Sequence, residues 1–237
     1  MYRYLFGPVL SRRLGRSLGV NLVPCKTCSF DCIFCQAGNT TNLTLERREY
    51  VPILDVIAEL DLWLKNCGTA DYITLSGLGE PTLHSRFGDI LEAVHEKCSI
   101  KAALLTNSSL LYIPEVRRAA AKADMVKVSL SAWDQPSFED INRPHPQLTF
   151  QRVLDGIREF RAEFTGELWL EVFVLFRVNA NESAMEKIAR LVSTIHPNRI
   201  HLNTVARPPA EHYAIPVSEA SLEKFAYLFK PAAEIIV

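Results

Sequence analysis

The sequence predicts an α/β fold built on a parallel sheet. Six short segments rich in aliphatic and β-branched residues alternate along the chain with segments of helical periodicity. Strands that alternate with helices in this way pair in parallel through right-handed crossovers. The chain has 237 residues, 48% of them hydrophobic, and no low-complexity segment or linker divides it. We therefore expect one domain over residues 1–237, either an open barrel or a doubly wound sheet, between which periodicity does not decide.

The strands follow from short apolar runs that end at turn residues. The first run stops before Pro24 and a cysteine-rich loop, which places that loop at the C-terminal end of a strand. The six strands are predicted at residues 17–22, 71–75, 101–105, 125–130, 168–176 and 199–203. Residues 234–237 have the pattern of a further strand cut short at the terminus. Residues 1–16 are predicted to be a leader packed on the domain. Its four arginines either form a solvated basic surface or, in part, border the opening of the active site, where they would meet an anionic group.

The helices follow from apolar residues spaced three and four apart. Pro114 suits the first turn of one helix, and Ser218 suits the N-cap of the last. The predicted helices cover residues 52–65, 85–97, 113–122, 149–162, 182–195 and 218–229. In this architecture functional groups gather at the C-terminal ends of the strands.

Composition excludes some classes of function. The formal net charge is −1, so the chain lacks the global basic field that non-specific nucleic-acid binding requires, and a tRNA substrate is disfavoured unless a local patch holds one. No apolar run approaches the roughly 18 residues of a membrane span. The N-terminus does not resemble a signal peptide, and clustered thiols without one predict a cytoplasmic protein.

Four of the six cysteines lie within residues 25–35, and this density requires a chemical explanation. A zinc site would use two Cys-x-x-Cys pairs, but only three residues separate them, where roughly a dozen or more is usual. Disulfides would suit a small secreted domain. An iron–sulfur cluster on Cys28, Cys32 and Cys35 would leave one iron of a four-iron cluster without a protein ligand, and so open to chemistry. Spacing alone leaves all three explanations open.

The pattern Cys28-x-x-x-Cys32-x-x-Cys35, with Phe34 beside the last cysteine, resembles the signature of the radical S-adenosylmethionine (SAM) enzymes. Other segments, from about residue 6 to the C-terminus, resemble the branch of Fe–S oxidoreductases related to the wyosine tRNA-base enzymes. These segments are residues 6–19, residues 75–83, Asn142-Arg143-Pro144 and Arg207-Pro208-Pro209.

The resemblance implies a radical SAM core, a six-stranded partial (β/α) barrel with parallel strands. It also implies that Cys28, Cys32 and Cys35 hold a [4Fe–4S] cluster whose open iron SAM chelates through its amine and carboxylate. A reducing partner such as flavodoxin or ferredoxin would supply the electron that cleaves SAM to a 5′-deoxyadenosyl radical. A small molecule or a peptide is the favoured substrate, and a tRNA is the alternative.

The segment from Gly77 to Pro81 directly follows the second strand. It is either an ordinary strand-to-helix turn or, as the resemblance implies, the segment that holds the amino group of SAM. In the second case Glu80 presents a carboxylate to the amine, and Gly79 lets the backbone approach closely. Asn107 ends the third strand, where a lone Asn is commonly a turn residue, but it would face the same cavity.

The later strands contribute further candidates. Ser129 and Ser131 share one face by strand alternation and look like the family's hydroxyl contacts to the ribose. Asn203, at the end of the sixth strand, is predicted to meet the adenine or ribose from the far side. Glu171 interrupts an apolar strand, and we expect it to face a polar interior as a cofactor contact, because a charge on such a strand is rarely buried unpaired.

Arg143 is a candidate partner for Glu171 or a contact to substrate. His145 and His201 are candidate proton donors, although a lone histidine is more often structural.

The remaining cysteines have no predicted ligand role. Cys25 would block SAM if it bound the fourth iron, so we expect it to be a bystander, and Cys67 and Cys98 are predicted to be buried thiols. The relatives that modify wyosine bases use additional N-terminal cysteines for a second cluster, and none precedes Cys25 here, which argues against both the second cluster and that substrate. A non-catalytic iron–sulfur or zinc protein is the alternative from another functional class.

Overall fold

The structure is a computed structural model that describes residues 2–66 and 68–236. Its main sheet has eight strands in the order β1-β2-β5-β6-β7-β8-β9-β10, and every neighbouring pair is parallel except β1 and β2. A second sheet pairs β3 with β4. The strands are β1 (Leu5–Ser11), β2 (Gly15–Asn21), β3 (Thr27–Cys28), β4 (Asn42–Leu43), β5 (Tyr72–Ser76), β6 (Lys101–Leu105), β7 (Met125–Ser129), β8 (Glu167–Phe173), β9 (Arg199–Asn203) and β10 (Glu234–Ile236).

In the described part of the chain, seven α-helices connect or flank these strands. They are α1 (Ile53–Lys65), α2 (Phe87–Lys97), α3 (Pro114–Ala120), α4 (Gln135–Asn142), α5 (Phe150–Glu163), α6 (Glu182–Ser193) and α7 (Glu219–Ala226), with a 3₁₀ turn at Pro81–Leu83. Ser218 accepts a hydrogen bond from the Ser221 backbone N–H and caps α7 as predicted. Nowhere in the described residues does a helix combine the length and hydrophobicity that a membrane crossing requires.

The six predicted strands are all present, as β2 and β5 to β9, and the predicted terminal strand is β10, although Val237 lies outside the described residues. Sequence reasoning did not identify β1, because the segment predicted as a leader contains this strand and the start of β2. The register of β1 shifts between Phe6 and Val9, so its side chains do not alternate in the regular way that identifies a strand.

Helix α4 was also missed. It has only eight residues, and four of them are buried. Its start carries a signal that sequence reasoning could have used: Asp134 and Ser137 form a reciprocal capping box, with Pro136 in the first turn.

The two faces of the main sheet differ in polarity, and this difference locates both the core and the site. Outward side chains on alternate strand positions are apolar and almost fully buried under the helices; they include Leu18, Ile73, Leu104, Val128, Leu170 and Leu202. Inward side chains are largely polar; they include Ser17, Thr74, Lys127, Glu171, His201 and Asn203. The hydrophobic core therefore lies between the sheet and its helices, and the concave face is free for chemistry.

The turn between β1 and β2 closes one end of the concave face. It lies at the N-terminal ends of the parallel strands, opposite the cysteine loop that follows β2. Leu14, on this turn, is 5% exposed and packs in one cluster with Ala103, Met125 and Trp169. We call this end the base and the cysteine end the mouth.

Candidate cluster and cofactor site

The cysteine loop lies over the mouth because it begins directly after β2. Cys28 belongs to β3, which pairs with β4, and a turn in which the Cys35 N–H donates to the Cys32 carbonyl (3.1 Å) brings the last two cysteines together. All three are free thiols.

Helix α4 and the residues after it hold this loop in place. The Ile33 N–H donates to the Ile141 carbonyl (3.1 Å), and the Asp31 N–H donates to the Asn142 carbonyl (3.1 Å). The Asn142 side-chain amide also donates to the Cys32 sulfur at 3.3 Å. The end of α4 is therefore a template for the cysteine loop.

Phe34 anchors the last turn of the loop. Its ring stacks on that of Phe173, at the end of β8, with centroids 4.1 Å apart and planes within 10°. This contact packs an apolar surface against the turn that carries Cys35. The predicted role of Phe34 at the cofactor stays a prediction.

The loop after β5 is joined to the start of the cysteine loop by backbone hydrogen bonds. The Lys26 N–H donates to the Leu78 carbonyl (2.8 Å), and the Glu80 N–H donates to the Thr27 carbonyl (3.1 Å). A Cβ at Gly79 would collide with the Thr27 carbonyl. The packing of the two loops therefore requires glycine at position 79. This reason differs from the predicted one, close approach of the backbone to a ligand.

The Glu80 carboxylate is 2% exposed and bound entirely by its own chain. It accepts from the Thr82 N–H (3.1 Å) and hydroxyl (2.6 Å), the Thr106 hydroxyl (2.7 Å) and the Asn107 N–H (2.8 Å). Burial raises its pKa, although these hydrogen bonds oppose the shift. Glu80 thus ties the loop after β5 to the loop after β6, and its predicted contact with the amine of SAM stays a prediction.

Asn107 connects the same region to the cysteines. Its side-chain amide donates to the Cys28 sulfur (3.4 Å) and to the Ser29 hydroxyl (2.9 Å), and its oxygen accepts from the Ser109 N–H (2.9 Å). As expected, Asn107 and Glu80 lie together, since the Asn107 N–H binds the Glu80 carboxylate directly.

The cysteine thiols fit a cationic metal centre. Burial, followed by the nearby Glu80 and Cys35, raises the pKa of Cys28 to about 12. Burial and the neighbouring Cys28 raise the pKa of Cys32 well above its ordinary value, although the Asn142 amide opposes this. Ionised thiolates at these positions need a compensating positive charge, so metal binding would displace their protons.

The donor set consists of three thiols, Cys28, Cys32 and Cys35, and thiolates are ligands of both iron–sulfur clusters and zinc. The amide donors from Asn107 and Asn142 to sulfur would be outer contacts to a metal centre held by these thiols.

The interior below the mouth carries a buried charge network centred on Glu171. Its carboxylate accepts from the Lys127 ammonium (2.7 Å), the Asn203 amide (3.1 Å) and an Arg13 guanidinium N–H. Burial favours the neutral acid, but the charges of Lys127 and Arg13 outweigh it and lower the pKa of Glu171 to about 2. Glu171 faces inward, as expected, and its contact with a cofactor stays a prediction.

The structure bears on two further predicted residues, Arg143 and His201. Arg143 does not pair with Glu171; it binds Glu211 (2.6 Å) and the Tyr213 hydroxyl (2.7 Å) beside the cysteine loop. His201 is unsuited to donate a proton as an imidazolium, because burial and the charge of Arg13 lower its pKa to about 4. The arginine that reaches the interior, Arg13, enters from the base and not at the mouth.

The side chains of the other predicted residues differ in how far their hydrogen-bonding groups are already used within the protein. The Ser131 hydroxyl accepts from the Phe173 N–H (2.9 Å) and is 3% exposed, so it supports β8, whereas half-buried Ser129 accepts only a 3.3 Å contact from the Lys127 ammonium. Both polar groups of Asn203 are bonded, to Glu171 and to the Thr204 N–H (2.9 Å). Contacts of these three residues with the ribose or adenine stay predictions.

The remaining cysteines and His145 differ from one another in burial and in contacts. Cys98 is half-buried, not buried, and Cys25 is exposed. Cys67 lies outside the described residues. His145 accepts from the Gln147 N–H (3.3 Å) in a local turn.

Sequence reasoning missed Lys127 and Asn142 as parts of the site. Lys127 interrupts the apolar run of β7 in the same way that Glu171 interrupts β8, and the two interruptions together could have indicated the ion pair. Asn142 stands in the sequence only as part of the Asn142-Arg143-Pro144 motif, with no local signal of its contact with Cys32.

Comparisons with known proteins agree with this geometry. A sequence profile described as the Radical SAM superfamily matches residues 22–192. A UPF0026 protein of Methanocaldococcus jannaschii is 37% identical over 226 residues, which are 94% of this chain and 70% of the relative. A Brachyspira hyodysenteriae protein named GTPase Obg is 36% identical over 231 residues, which are 98% of this chain and 34% of that protein. The chain thus spans about a third of one relative and about 70% of the other.

A solved structure gives the same result for the fold. TYW1 with a lysine–pyruvate adduct bound superposes with a TM-score of 0.69 at 14% identity, over 92% of this chain and 74% of that one. At this identity the likeness concerns the fold alone, and it confirms the predicted partial barrel.

Proposed function

This chain belongs to the radical SAM superfamily, and from that premise we propose that it is an enzyme that holds a [4Fe–4S] cluster on Cys28, Cys32 and Cys35 and cleaves SAM reductively. The observation that carries the proposal is the cysteine loop itself. Three closely spaced thiols lie over the mouth of a partial barrel, and two of their sulfurs accept side-chain amide donors, from Asn107 and Asn142. When bound and reduced, the cluster supplies one electron to SAM, which yields a 5′-deoxyadenosyl radical that abstracts hydrogen from the substrate.

The chain's own residues position and shield this chemistry. Asn107 and Asn142 donate to sulfur and so stabilise its negative charge. The stacked rings of Phe34 and Phe173 exclude water from one side of the loop. Glu80 fixes the two loops that border the mouth relative to each other.

We further propose a small molecule or a peptide as substrate, and a reducing protein such as flavodoxin or ferredoxin as the electron donor. A net charge of −1 supports the substrate class, because it provides no broad basic surface for nucleic acid. We also propose a cytoplasmic location, since five described cysteines are free thiols, which a reducing compartment preserves.

The test is an anaerobic assay. Protein reconstituted with iron and sulfide is reduced with dithionite and given SAM, and 5′-deoxyadenosine is quantified by chromatography. We expect the wild type to form 5′-deoxyadenosine, Cys28→Ala to form none, and the matched control Cys98→Ala to match the wild type. A protein that retains zinc, or a cluster whose spectrum ignores SAM, would show that the metal is structural or only carries electrons.

A further inference from the structure

The interior charge network has more positive than negative charge. Arg13 and Lys127 are its buried cations and Glu171 is its buried carboxylate, while Arg199 and Glu234 form a half-exposed pair beside it. Glu234 is half exposed and faces Arg199 (3.7 Å) at the edge of the sheet. The deeply buried part of the network is thus two cations on one carboxylate, with one positive charge uncompensated.

Several donors in this network have no acceptor. The Arg13 Nε and the His201 Nδ1 are buried and have no hydrogen-bond partner among the residues that the structure describes. The Lys127 ammonium has three N–H groups and uses two, on Glu171 (2.7 Å) and Ser129 (3.3 Å). Buried polar groups without a partner are rare in folded proteins, so this combination calls for an explanation, and a bound ligand would provide one.

The burial and position of His201 are observations independent of the ion pairs. His201 is 1% exposed and pairs with Glu171 in the register of β8 and β9. Its ring packs edge to face on that of Trp169, with ring centroids 5.2 Å apart. Its Nε2 lies 3.8 Å from the Glu234 carboxylate, and its Nδ1, which has no hydrogen-bond partner among the described residues, would be a further donor in the tautomer that carries hydrogen there.

We propose that Lys127, Arg13 and His201 form a binding site for a carboxylate of the substrate, inside the barrel and below the mouth. That the bound carboxylate belongs to the substrate rests on the proposed function, whereas carboxylate binding at this site does not require a cluster. A single surplus positive charge matches a monoanion, and the free N–H groups match carboxylate oxygens. The Glu171 carboxylate is already saturated, so it is not available to a cationic ligand.

The position of the site suits a substrate anchor. Glu171 lies two residues before Phe173, whose ring stacks on Phe34 of the cysteine loop. A carboxylate held one pleat below that stack would direct the rest of a small acid toward the mouth, where the cysteines lie. The inferred substrate class is therefore a small carboxylic acid.

The test compares acetate with acetamide, its neutral isostere, by saturation-transfer NMR on the full-length chain. We expect acetate to bind and acetamide to bind at least 10-fold more weakly. Lys127→Met should weaken acetate at least 10-fold, whereas Arg12→Gln, an exposed neighbour of Arg13, should bind it as the wild type does. Equal binding of acetate and acetamide, or unchanged binding by Lys127→Met, would overturn the proposal.

A second variant covers the case in which Lys127→Met does not fold. Glu171→Gln removes the carboxylate that Lys127 and Arg13 share, so the site should bind acetate several-fold more tightly, and weaker binding would contradict the proposed charge balance. Saturating SAM should leave acetate bound; displacement would assign the donors to the carboxylate of SAM instead. Cys28→Ala should keep acetate binding while it loses 5′-deoxyadenosine formation, so failure of the enzymatic proposal and failure of this site give different results.

Discussion

Glu80 and Glu171 are both buried carboxylates, yet the chain satisfies them in opposite ways. Glu80 accepts only from hydroxyl and amide groups, and burial raises its pKa. Glu171 accepts from two cations as well as an amide, which lower its pKa to about 2. Neutral donors fix the position of a buried carboxylate but do not balance its negative charge, whereas cations balance it. The region around Glu80 is therefore architectural, and the region around Glu171 sets the electrostatic potential of the interior.

The largest difference between the two regions should appear when a cation is removed. Lys127→Met removes one of the two cations bound to Glu171 together with its charged hydrogen bond (2.7 Å), and the loss of a hydrogen bond to a charged group costs about 1.5–3 kcal/mol. We expect that loss in the free energy of unfolding measured by urea denaturation. Lys101→Met, an exposed lysine on β6, is the matched control and should change little. Equal losses in both variants would mean that Lys127 does not balance Glu171.

The two carboxylates should also differ in the sign of their pH dependence. The pKa of Glu171 is depressed from 4.5 to about 2, so it stabilises the fold above pH 4.5 by up to about 3 kcal/mol, and this contribution declines as the pH falls toward 2. The pKa of Glu80 is raised, so its contribution is fully present below 4.5 and declines as the pH rises through the folded-state pKa.

Urea denaturation of the wild type, Glu171→Gln and Glu80→Gln between pH 7 and 3.5 measures both effects. On acidification, the excess free energy of unfolding of the wild type over Glu171→Gln should shrink. Over the same range, the free energy of unfolding of the wild type should rise relative to that of Glu80→Gln. Two profiles of the same slope would contradict the contrast between cationic and neutral partners.

The smallest expected effect is the loss of one neutral donor to Glu80. Thr106→Val removes a hydroxyl that donates to Glu80 (2.7 Å) and accepts from the Ser108 N–H (3.1 Å), at nearly unchanged volume. We expect a loss of about 1–2 kcal/mol in the free energy of unfolding. Exposed Thr69→Val should stay within about 0.5 kcal/mol of the wild type, and a Thr106→Val as stable as Thr69→Val would argue against the tie between the two loops.

The sequence predicted what depends on local periodicity and little of what depends on distant pairing. Alternation identified β5 to β9 and the inward side of Glu171, because the outward neighbours of a covered sheet must be apolar. The partner of Glu171 was missed because Arg13 lies 158 residues earlier, and no periodic pattern connects them.

The same reason explains the support of the cysteine loop. The loop was recognised from its spacing, but the amide that binds Cys32 belongs to Asn142, 110 residues later, at the end of a helix too short to show a clear period.

The covered base also has a consequence for access. With Leu14 packed among Ala103, Met125 and Trp169, the described residues close the concave face at that end. A ligand of the proposed enzyme would therefore enter and leave through the mouth. The turn between β1 and β2 supplies both the cover of the base and the Arg13 guanidinium.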